Sequence, residues 1–139
     1  MSTPAAAPRR NRPEFRNIHV TQIVGYRMPP AAMVSIMHRI SGAALFLALP
    51  FLLWIFDLSL ISESTFDRMA LAASGWFVKL VLLFLAWAFL HHLVAGIRYL
   101  VLDLHVGLDL PQSRASALAV YAISLPLTLL AALKLFGAF

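Results

Sequence analysis

The chain has 139 residues, of which 61% are hydrophobic and 12% charged, with a net charge of +5 and a mean hydropathy of +0.83. That balance excludes an ordinary water-soluble domain, and too few residues lie outside the apolar runs to build a soluble catalytic domain. The absence of cysteine excludes disulfides, cysteine-ligated iron–sulfur clusters and CxxCH haem attachment, but leaves redox groups held by histidine open.

Residues 1–30 read as an N-terminal arm. Pro4, Pro8, Pro13, Pro29 and Pro30 deny it a long helix, and no apolar core follows its early arginines as a signal peptide would require. Arg9, Arg10, Arg12, Arg16 and Arg27 all precede the first apolar run, a clustering that speaks for membrane orientation rather than nucleic-acid binding. By the positive-inside rule the arm is cytoplasmic. The loop 57–68, with Asp57, Glu63 and Asp67 against Arg68, then lies outside, the loop 103–114 inside, and the C-terminus on the periplasmic side of a bacterial inner membrane.

Apolar runs over 40–56, 80–97 and 115–133 approach the ~20 residues that a membrane span needs. The expected fold is an all-α membrane protein with three transmembrane helices over about 31–56, 75–102 and 115–139. The first starts at Pro29-Pro30, a natural helix entry, and contains Pro50. The second, at ~40 Å, exceeds a ~30 Å hydrocarbon core, so Lys79 and Arg98 are expected to snorkel at its two ends. The third carries Pro126 and, apart from Lys134, no ionisable group; packing and anchoring suffice to explain it.

Two stretches resist a purely structural reading. In SIMHRISG (35–42), Ser35, Arg39 and Gly42 fall at i, i+4 and i+7, putting a hydroxyl, a guanidinium and a gap on one helical face. Arginine at a helix centre costs ~2.5–3.5 kcal/mol on insertion scales, so such a group is read first as a candidate site. A haem propionate or a quinone carbonyl would each satisfy its planar fork of donors. The competing account is that Arg39 reaches the headgroups, with His38 beside it.

In HHLVAGIRYLVLD (91–103), consecutive residues point ~100° apart, so only one of His91 and His92 faces a given cofactor. His92 shares its face with Gly96 and Tyr99, leaving space for a flat ring system; His91 shares its face with Ala95 and Arg98. A neutral imidazole is a good axial ligand for haem iron, the alternatives being a hydrogen-bonded packing residue or a proton relay. His38 lies ~10 Å and His92 ~15 Å from the cytoplasmic helix ends, so both sit in the inner half of the bilayer. The two could share one iron, but Arg39 beside His38 argues for a place at the cofactor's edge, with the second axial ligand on a partner chain. His19 and His105 read as surface residues, Asp103 as solvent-facing, and the tryptophans near the predicted outer boundaries as an aromatic belt.

Together these residues resemble the cytochrome b membrane-anchor subunit of succinate dehydrogenase, respiratory complex II. RPEFRNIHV (12–20) with YRMPP (26–30) resembles the family's opening segment. SIMHRISG resembles its S-x-x-H-R-x-[ST]-G motif, and HHLVAGIRYLVLD its H-x-x-x-G-I-R-x-x-x-x-D motif, in order across nearly the whole chain. The resemblance implies that His92 is an axial ligand of a b-type haem shared with a second, smaller anchor subunit in a common helical bundle. It implies that Ser35 and Arg39 line the ubiquinone site near the iron–sulfur subunit, and that His38, Arg39 and Arg98 contact haem propionates. Succinate oxidation would then occur on the flavoprotein subunit. The departure from pattern is His91, the alternative ligand. Other readings are a fumarate-reducing, quinol-oxidising version of the assembly and a haem-free scaffold or assembly protein; three spans without internal repeats argue against a transporter.

Overall fold

The computed structural model describes residues 19–137. Arg9, Arg10, Arg12 and Arg16, and most of the RPEFRNIHV stretch, lie outside the described residues. Five helices follow one another, α1 (Val20–Gly25), α2 (Pro30–Ile61), α3 (Glu63–Ala73), α4 (Trp76–Asp103) and α5 (Leu110–Leu135), and no strand occurs among the described residues. Three of them, α2, α4 and α5, are long and apolar enough to cross a membrane. They run up, down and up, with α4 packed between the other two.

Small side chains set the helix spacing. Ala88, Ala95, Ala117, Ser41 and Ser124 are fully buried, together with Val34 and Val120, whereas Phe46, Phe51, Trp54, Phe56 and Phe77 point outward. This is the packing expected in lipid, where large apolar groups gain nothing by leaving the acyl chains and close backbone approach supplies the attraction. Along the α4–α5 seam, His91 packs on Tyr121, Ala95 on Ala117, and Arg98 on Ser113 and Ser116. Tyr26, Arg27, Pro29 and Pro30 share a 460 Å³ cleft with Arg114, so the start of α2 and the start of α5 lie at one end of the bundle. At the other end the Lys79 ammonium sits 5.7 Å over the Phe136 ring.

The structure corrects the expected connections. The segment expected as the loop 57–68 is largely helical: α2 continues to Ile61, and after Ser62 alone a surface helix, α3, begins. Its cause is a capping box, in which the Ser62 hydroxyl accepts from the Thr65 N–H at 3.2 Å and the Thr65 hydroxyl from the Ser62 N–H at 3.1 Å. At 32 residues, α2 is therefore ~48 Å long and exceeds the bilayer core as α4 does. The loop expected over 103–114 is shorter too, because α5 starts at Leu110 with Pro111 in its first turn, where a missing N–H costs nothing. Pro50 and Pro126 lie inside α2 and α5, which continue past them.

Candidate functional site

The two motifs meet where α2 crosses α4. The His38 and His92 rings stack with centroids 4.0 Å apart and planes 6° from parallel. The His38 imidazole fills the space expected beside His92 at Gly96, where a Cβ would stand at an ordinary contact distance of 3.6 Å from His38 Nε2. On its far side His38 meets the Tyr99 ring at 5.1 Å. Gly42 is the second gap: a Cβ on it would lie 2.7 Å from His92 Cε1, closer than any real contact, so the imidazole occupies the volume that a side chain would need.

The hydrogen bonds at His92 determine its chemistry. Its Nδ1 lies 3.0 Å from the His38 carbonyl oxygen, and the Ser41 hydroxyl, 3.4 Å from the same nitrogen, donates to that carbonyl at 3.0 Å. A carbonyl only accepts, so Nδ1 bears a proton, and the tautomer this selects has its lone pair on Nε2. No side chain or backbone group among the described residues takes up Nε2. A half-buried imidazole with its back nitrogen anchored and its front nitrogen bare is the form that ligates a metal.

His91, one residue earlier, is in a different environment. It is completely buried where α4 meets α5 and the Val34 backbone of α2, stacked near Trp87 and against Tyr121, with both ring nitrogens sealed from solvent and neither making a hydrogen bond of ordinary geometry. The face it was expected to share with Ala95 and Arg98 is the chain's own core. Arg98, 8% exposed, donates from Nε to the Ser116 hydroxyl at 2.9 Å and from Nη2 to the Ser113 carbonyl and hydroxyl at 3.2 and 3.3 Å. It points to α5, about 120° around α4 from His92. Ser35 is half-buried and Arg39 exposed on the flank of α2 beside the histidine stack, and neither is engaged by another described residue. His19 and His105 are exposed, as is Asp103.

Ser41 is the residue whose part the sequence reading missed. It was visible as the [ST] of the motif, but nothing in spacing alone says that its hydroxyl would reach across to α4. Gly42 was legible as a gap, though not that His92 would fill it.

A profile described as the succinate dehydrogenase/fumarate reductase transmembrane subunit matches residues 9–131. The chain belongs to this family. Among its relatives are proteins named succinate dehydrogenase cytochrome b556 subunit. The one from Coxiella burnetii is 38% identical over 101 residues, covering 71% of this chain and 80% of its own. The one from Paracoccus denitrificans is 33% identical over 128 residues, covering 92% and 95%. A third, from Rickettsia bellii, is 30% identical over 105 residues, covering 76% and 82%. As a transmembrane subunit of the succinate dehydrogenase/fumarate reductase family, this multi-pass chain is one part of a membrane-bound enzyme complex.

Proposed function

We propose that the chain is the cytochrome b anchor subunit of a succinate dehydrogenase, holding a b-type haem through His92 and forming part of the pocket where ubiquinone is reduced. The observation that carries this reading is the contrast between neighbours. His92 presents an unbonded Nε2 behind an anchored Nδ1–H, whereas His91 is sealed inside the chain. That donor arrangement fits an iron ligand, and the family resemblance would have a second, smaller anchor subunit supply the other. When bound, a b-type haem supplies a one-electron redox centre within the membrane.

His38 and Arg39, on the turn that faces His92, would lie at the haem edge, where a guanidinium is the natural partner of a propionate. Arg98, committed to Ser113 and Ser116, fits a helix tie better than a propionate contact. Ser35 and Arg39 would each donate a hydrogen bond to a quinone carbonyl, stabilising the negative charge that develops there as electrons arrive from the iron–sulfur subunit. The N-terminal arm and the start of α5 then face the cytoplasm, and the C-terminus the periplasm. This orientation agrees with Arg27 and Arg114 lining one cleft at that end of the bundle.

The test is His92→Ala in the assembled complex, followed by its reduced-minus-oxidised spectrum. Loss of the bis-histidine haem signal supports the reading; full retention moves the ligand elsewhere. A purified wild-type complex without a Soret band would instead favour a haem-free scaffold. Arg39→Ala is expected to depress quinone reduction while sparing succinate oxidation by artificial acceptors. Equal loss of both would signify failed assembly.

A further inference from the structure

We infer that Ser41 and Gly42 are positioning residues for His92, setting the tautomer and the ring plane in which its free nitrogen is presented. The inference rests on the reading of His92 as the axial ligand and deepens it.

An imidazole on a helix has two ring nitrogens and a broad, roughly two-fold torsion at its second side-chain bond, so by itself it does not present one nitrogen in one direction. Four contacts from a single turn of α2 remove that freedom. The His38 ring lies flat against one face of the His92 ring. The His38 carbonyl takes the Nδ1 proton at 3.0 Å. The Ser41 hydroxyl, fully buried and therefore unable to turn to solvent, donates to the same carbonyl and leaves its lone pairs 3.4 Å from Nδ1. Gly42 leaves open the volume holding Cε1, the ring atom between the two nitrogens, where a Cβ would stand 2.7 Å away and 3.1 Å from Nδ1. Pressure at Cε1 would swing Nε2, and altered hydrogen bonding at Nδ1 would change the basicity of the lone pair on Nε2. The small hydroxyl residue followed by glycine at the end of SIMHRISG thus acts on the other helix rather than on its own.

The direction of the effect follows from the shared acceptor. The Ser41 hydroxyl and the His92 Nδ1–H compete for one carbonyl oxygen. Removing the hydroxyl takes away a distant acceptor of Nδ1–H, at 3.4 Å, but leaves the nearer carbonyl, at 3.0 Å, to that proton alone; the nearer acceptor decides, so the imidazole gains anionic character and ferric iron is favoured over ferrous.

Ser41→Ala, Ser41→Thr, Gly42→Ala and His92→Leu are compared in the purified, assembled complex. The readouts are haem content, the low-temperature electron paramagnetic resonance g-values of the ferric haem, and its midpoint potential. Ser41→Ala is expected to shift the g-values and lower the midpoint, and Ser41→Thr, which keeps the hydroxyl, to return both to the wild-type values. Gly42→Ala is expected to move the g-values further or to lose the haem. Wild-type g-values and midpoint in Ser41→Ala, a raised midpoint, or failure of Ser41→Thr to restore what Ser41→Ala changed would each overturn the proposal. Full haem content in His92→Leu would instead defeat the axial-ligand reading, so the two failures are told apart by which variant reports them.

Discussion

Arg98→Ala tests whether the buried guanidinium ties α4 to α5. The side chain makes one short bond, Nε to the Ser116 hydroxyl at 2.9 Å, and a forked pair of longer ones from Nη2 to Ser113 at 3.2 and 3.3 Å. Interhelical hydrogen bonds in membranes average ~0.6 kcal/mol and reach ~1.7 kcal/mol. Taking the short bond near the upper value and the forked pair as one average contact gives a loss of about 2 kcal/mol, a factor of roughly 30 in the folded ratio. No acceptor is stranded in the variant, because the Ser116 hydroxyl already donates to the Ser113 carbonyl at 3.1 Å and keeps doing so. The assay is denaturation of the detergent-solubilised complex by increasing dodecyl sulfate, followed by tryptophan fluorescence, on Arg98→Ala, Ser116→Ala and the double variant. A change below about 0.5 kcal/mol, or no coupling between the two positions in the double-mutant cycle, would refute the argument.

Four further outcomes follow from the same packing. His91→Phe keeps a ring between Trp87 and Tyr121 at a position sealed inside the chain, so haem content should be unchanged, read from the reduced-minus-oxidised spectrum. Gly96→Ala places a methyl at an ordinary 3.6 Å from His38 Nε2 and should leave the haem spectrum unaltered, in contrast to Gly42→Ala. Ala95→Leu forces a large side chain into a fully buried position of the small-residue core and should cost about 1–3 kcal/mol, with lowered yield of intact complex as the measurement. Ser62→Ala removes the α3 cap at a cost of about 1 kcal/mol, and amide exchange should accelerate in the first turn of α3 while α2 and α4 stay protected.

Hydropathy and charge determined much of this protein before any coordinates. Three apolar runs bounded by proline and by clustered arginine leave few solutions for a chain that must satisfy its backbone in lipid, and the three long helices follow from that alone. The helical period also divided the second motif correctly, with His91, Ala95 and Arg98 on one face and His92, Gly96 and Tyr99 on another. Connections were less legible: α3 was hidden because Ser62 and Thr65 look like loop residues until each is seen to cap the other's backbone. Only the crossing of α2 over α4 decided which face became interior and which stayed open. A one-dimensional period cannot say which neighbour covers a face, and that choice sealed His91, turned Arg98 toward α5, and brought His38, Ser41 and Gly42 around the His92 imidazole.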